Sequence, residues 1–107
     1  MKNSRKISVL IIEDEDFDVA RIKKTLKPFS NRISIREIVA NGRVASDILE
    51  NDPNGYDVVI MDFQIAGGIM GEKLIRKIKD INPTIQVIVV TKMTINMTDY
   101  EFANQLL

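Results

Sequence analysis

Four apolar runs of strand length, Ile7–Ile12, Ile33–Val39, Val58–Met61 and Ile85–Val90, punctuate this chain of 107 residues. The first, third and fourth are unbroken and rich in Val and Ile, as parallel strands covered on both faces require. The segments between them have helical spacing. Val19, Ile22, Leu26 and Phe29 recur at three- and four-residue steps, as do Val44, Ala45, Ile48 and Leu49, and then Leu74, Ile75, Ile78 and Ile81. Breakers stand at the joints: Pro28, Asn41-Gly42, Asp52-Pro53-Asn54-Gly55 and Asn82-Pro83. The resulting order, β-α-β-α-β-α-β with a further helix from about Thr98, predicts a parallel sheet sandwiched by helices. The length suits one domain spanning residues 1–107.

Composition narrows the chemistry. Fifteen basic and fifteen acidic residues cancel, leaving no overall field to attract nucleic acid or an anionic membrane. Without histidine or cysteine the chain cannot offer His-centred acid–base chemistry, a thiolate metal site or a disulfide. No stretch approaches the roughly 20 apolar residues of a membrane span. The expected location is the cytoplasm.

Each core strand ends in a polar group: VLII in Glu13-Asp14, VVIM in Asp62 and VIVV in Thr91. In open α/β sheets ligands bind outside the carboxyl ends of strands, where the winding direction reverses. If the first and third strands are neighbours, Glu13, Asp14 and Asp62 converge. Clustered carboxylates must then bind a proton or hold a cation. Oxygen ligands without nitrogen or sulfur point to Mg²⁺, or to Mn²⁺ or Ca²⁺.

Plainer readings account for the neighbouring acids. Glu15, Asp16 and Asp18 suit the first turn of a helix, where an acid gains about 0.3–1 kcal/mol from the dipole. Arg21, Lys23, Lys24 and Lys27 suit a solvated helix face. Asp14, Asp16 and Asp18 imitate the first ligands of an EF-hand loop. Its sixth position, however, is Val19 where Gly is needed, and its twelfth is Thr25 where Glu is needed. A phosphatase of the haloacid-dehalogenase type would place a nucleophile at Asp14 and Thr where this chain has Asp18.

With these residues in hand, the chain resembles the receiver domain of two-component response regulators. The matching parts are VLIIEDED, VANGRVASDIL, YDVVIMD and IQVIVVT, in register from Ile7 to about Leu106. The resemblance implies a flavodoxin-like three-layer α/β/α sandwich with a parallel sheet of order 2-1-3-4. It also implies that Asp62 is the phosphoacceptor and Asp14 the direct Mg²⁺ ligand, with Glu13 acting through water. Gln64 would add a backbone carbonyl to the metal, and Thr91 would contact the phosphoryl group. The donor would be a sensor histidine kinase or a histidine phosphotransfer protein, and the domain would signal rather than turn over substrate. The alternative function is a phosphorylation-independent interaction module on the same scaffold.

The pattern is broken in three places. The loop DFQIAGGIMGEKL carries Ala66 where the family has Pro, with Gly67-Gly68 supplying bends. Lys92 follows Thr91 where the family favours a small residue. The chain stops at Leu107, inside what resembles the fourth helix, so the fifth strand, its following lysine and the fifth helix are expected to be absent. That reading leaves the fourth strand as an uncovered edge, suggesting a homodimer through that strand or the terminal helix.

Overall fold

The structure, a computed structural model, describes residues 5–62, 71–90 and 105–106. Its elements are β1 (Ile7–Ile12), α1 (Asp16–Leu26), a 3₁₀ turn (Lys27–Phe29), β2 (Ile33–Val39), α2 (Gly42–Asn51), β3 (Val58–Asp62), α3 (Gly71–Ile81), β4 (Gln86–Val90) and β5 (Gln105–Leu106). All four predicted strands form and, with a fifth, pair in parallel in the order β2-β1-β3-β4-β5.

The fifth strand corrects the sequence-based expectation. Gln105 and Leu106 pair with Ile88 and Val89, so the edge of β4 is covered at those positions and residues 105–106 are extended, not helical. An open parallel edge presents unpaired N–H and C=O groups, and two residues suffice to satisfy some of them. The premise of an uncovered fourth strand therefore fails at these positions. Gln64, Thr91, Lys92, the Ala66-to-Gly68 bend and the start of the expected terminal helix lie outside the described residues.

The sheet separates two apolar layers by strand parity. On one face Leu10 and Ile12 of β1 and Val59 and Met61 of β3 pack with Leu49 of α2 and Leu74, Ile75 and Ile78 of α3. On the other, Val9, Ile11 and Ile60 pack with Ile22 and Leu26 of α1. Two residues of the predicted helical stripes face outward instead. Phe29 falls in the 3₁₀ turn, beyond the end of α1, and is 43% exposed. Val44 is 42% exposed, because the buried arc of α2 runs through Gly42, Ala45, Ser46 and Leu49.

Local polar contacts set the joints. Asn41 caps α2, its Oδ1 accepting the Val44 N–H at 2.9 Å. Asn82, just past α3, accepts the Thr84 N–H at 3.0 Å and donates Nδ2 to the Pro53 carbonyl at 2.8 Å. At the edge of the sheet the pairing of β1 with β2 skips Arg36, a bulge that turns its side chain toward the α2–β3 loop. There Arg36 meets Asp52 at 3.1 Å and the Gly55 carbonyl at 2.8 Å, and lies over the Tyr56 ring at 5.0 Å.

Candidate functional site

The site begins with two adjacent strands. Register runs Ile12↔Met61 at the carboxyl ends of β1 and β3, so the next residues, Glu13 and Asp62, emerge side by side. The Glu13 N–H donates to the Val39 carbonyl at 2.9 Å, which continues the sheet geometry one residue past β1. By parity Glu13 follows Val9 and Ile11, and Asp62 follows Val58 and Ile60, so both belong to the α1 face.

α1 supplies the third group. Asp18 is its third residue and lies four positions before Ile22 and eight before Leu26, on the stripe that packs against the sheet. Glu13, Asp18 and Asp62 each present a carboxylate oxygen, and the three oxygens lie within 4.8 Å of one another. Glu13 is 4% exposed and Asp18 6%, while Asp62 is half-buried. Arg21, itself largely exposed, reaches Asp18 Oδ1 at 3.4 Å. Glu13 Oε1 accepts the Glu15 N–H at 3.1 Å, which fixes the turn leading into α1.

The electrostatics show what this crowding costs. Burial pushes the Glu13 carboxyl from 4.5 up to about 7, and the nearby charges of Asp62 and Asp18 and a side-chain hydrogen bond with Asp14 push the same way. The Glu15 N–H pulls against them. Glu13 therefore holds its proton more tightly than an ordinary carboxyl does, up to about pH 7.

A hard divalent cation fits this donor set. All donors are carboxylate oxygens, the ligand type that hard divalent cations take, and they lie within 4.8 Å of one another, near enough to close on one ion by side-chain adjustment. The predicted ligands are not equivalent. Glu13 and Asp62 are brought together, whereas Asp14 sits exposed on the bend beside Glu13 and is not one of the three converging oxygens. Asp18, read from sequence as a helix-start acid, does begin the helix but points its burial toward the site. Its four-residue spacing from Ile22 was the signal that could have revealed it.

Comparisons with known proteins agree with this architecture. The family model for the response regulator receiver domain matches residues 9–105. Among solved structures, a response regulator receiver protein from Sinorhizobium medicae WSM419 is similar at 16% identity and a TM-score of 0.77, over 96% of this chain and 82% of that one. The signal receiver domain of a modulated diguanylate cyclase from Desulfovibrio desulfuricans G20 is similar at 18% identity and a TM-score of 0.77, over 96% and 81%. The isolated REC domain of RcsB from Salmonella enterica serovar Typhimurium, determined with the phosphomimetic BeF3-, is similar at 22% identity and a TM-score of 0.75, over 96% and 77%. These identities support likeness of fold. Curated protein sequences returned no match. Among the described residues no helix is long and apolar enough to cross a membrane.

Proposed function

Because the chain belongs to the response regulator receiver domain family, we propose that it is a phosphoacceptor signalling domain in which the carboxylate of Asp62 receives a phosphoryl group from a partner's phosphohistidine. The observation that carries this reading is the convergence of Asp62 with Glu13 at the carboxyl ends of neighbouring strands. An oxygen of Asp62 forms a bond to phosphorus as the bond from phosphorus to the donor imidazole nitrogen breaks, and the electron pair leaves with the imidazole. This chain supplies the nucleophile, and a chain without histidine leaves the donor to its partner.

Glu13, Asp14 and Asp62, with the backbone carbonyl of Gln64, are the proposed Mg²⁺ holders. The ion would neutralise phosphoryl oxygens as negative charge gathers around them. Thr91, which follows Val90 in the sequence, is the proposed hydroxyl contact to the transferred group. Glu13 and Asp62 would work through placement: Glu13 follows β1 and Asp62 ends β3, two buried strands paired in parallel, which supports their acting together on one donor. A sensor histidine kinase or a histidine phosphotransfer protein is the proposed partner.

Incubation of the full chain with acetyl phosphate and Mg²⁺, read by intact-mass spectrometry, tests the proposal. A single phosphoryl adduct that disappears in Asp62→Asn is expected. An adduct that persists in Asp62→Asn, or no adduct and no Mg²⁺-dependent beryllofluoride binding by the wild-type chain, would overturn it and leave a phosphorylation-independent interaction module.

A further inference from the structure

β2 is the outermost strand on its side of the sheet, and no strand pairs with its outer edge among the described residues. The Ile7 N–H donates to the Arg32 carbonyl at 2.8 Å, and Ile7 pairs with Ile33. By alternation, the backbone N–H and C=O of Ile33 and Ile35 point away from β1, toward the open edge. Such an edge invites pairing with another chain, and bulges and charged side chains are its common guards. The second half of β2 has both: the bulge at Arg36 and the exposed side chains of Arg36 and Glu37. The first half, Ile33-Ser34-Ile35, has neither.

The unguarded half borders a groove. About 340 Å³ in volume, it lies between the end of α1 and β2 and is lined by Lys23, Leu26, Lys27, Ser30, Ile33 and Ile35. That volume falls within the roughly 300–1,000 Å³ of ligand-binding clefts. Leu26, Ile33 and Ile35 stay only partly buried there. The aliphatic stems of Lys23 and Lys27 extend the apolar wall, while both residues are exposed and keep their ammonium groups in water. Neither lysine pairs with a carboxylate among the described residues. A second copy of this edge is a poor occupant, because twofold pairing would set two such cationic rims against each other.

We propose that this edge is a docking site for an extended segment of a partner protein that carries acidic and apolar side chains on one face. The segment adds to the sheet beside Ile33 and Ile35, its backbone bonding to theirs. Its apolar side chain enters the groove over Leu26, and its acids meet Lys23 and Lys27 at the rim. Ile33 pairs with Ile7 at the amino end of β1, whereas Glu13 lies beyond the carboxyl end. A segment bound here therefore leaves Asp62 open to a phosphoryl donor.

The test titrates the full ¹⁵N-labelled chain with N-acetylated heptapeptides Thr-Glu-Thr-X-Thr-Glu-Thr, where X is Val, Ile, Leu or Phe, and with the same set carrying Lys for Glu. In an extended peptide the two acids and X share one face. The acidic set should bind and the Lys set should not. At about ten times the dissociation constant, amide hydrogen exchange at Ile33 and Ile35 should slow by about tenfold. The double variant Lys23→Glu/Lys27→Glu, changed at two exposed positions, should weaken binding of the acidic set by about tenfold. Should that variant fail to fold, the wild type serves instead, and its affinity for the acidic set should fall as salt rises. Equal binding of the two sets, protection that spares Ile33 and Ile35, or no binding of any peptide at millimolar concentration would overturn the inference. So would a wild-type dimer whose formation protects those two amides, since a second copy would then be the occupant.

Discussion

The carboxylate of Asp57 accepts the backbone N–H of Ser8 at 2.8 Å through one oxygen and the guanidinium of Arg5 at 2.8 Å through the other. This contact ties the entry of β3 to the entry of β1, at the end of the sheet opposite the carboxylate cluster. The same two strands thus bring charges together at one end and compensate a charge at the other.

Burial alone would raise the Asp57 carboxyl, but the Ser8 N–H and the Arg5 guanidinium outweigh it and hold it below the usual 3.8. Its stabilising contribution is therefore present at neutral pH and lost as pH falls through that lowered value. Asp57→Ala should cost about 1–3 kcal/mol at pH 7, because it strands a backbone donor as well as removing a charge. Arg5→Ala, on the exposed partner, should cost less than about 1 kcal/mol. Urea denaturation measures both, and equal effects would place the energy in the ion pair instead of the backbone bond.

Glu13 carries the opposite pH signature. Its folded-state value of about 7 lies above 4.5, so between the two the folded protein keeps a proton that the unfolded chain has released. Stability in EDTA should accordingly fall as pH rises from about 4.5 to about 7, by about 1–3 kcal/mol. Glu13→Gln should flatten this slope. Thermal melts across that window check both, and a slope unchanged in Glu13→Gln would assign it to another group.

At the edge of the sheet, a Cβ on Gly55 would collide with the Asp52 carboxylate and the Arg36 guanidinium, both of which are the movable ends of side chains. Gly55→Ala should therefore displace the Arg36 clamp and cost about 1 kcal/mol without blocking folding. In an Arg36→Ala background the same change should cost less, since the contact it disturbs is already gone. A double-mutant cycle by denaturation would reveal strictly additive losses if the two residues were independent.

Asn41 gives a simpler case. Its side chain satisfies the Val44 N–H at the start of α2, and Asn41→Ala should lose about 1 kcal/mol while Asn41→Asp or Asn41→Ser retains most of the stability. Equal losses in all three would remove the capping account.

Much of this arrangement was legible in advance, and the reasons are local. VLII, VVIM and VIVV can only be buried parallel strands in a chain whose intervening segments repeat at helical spacing. Glu13 and Asp62 stood out because acids directly after such runs have no structural reason to be there. The short pairing of Gln105–Leu106 with β4 was missed, because an edge strand of two residues leaves no periodic trace. Asp18 does start α1 as its place in the sequence suggests, but its burial is not legible there, because helix-start acids are ordinarily in water.

The amino-acid sequence by itself determined the strands, the helices and the chemistry available at their ends, because period and polarity act over a few residues. Which carboxylates meet was decided by tertiary structure alone. Strand adjacency and parity bring Glu13 beside Asp62 and aim both at α1, and the packing of Ile22 and Leu26 then delivers Asp18 to the same point while Asp14 remains at the rim. Charge repulsion among those groups is a property of distances that no single segment of the chain encodes.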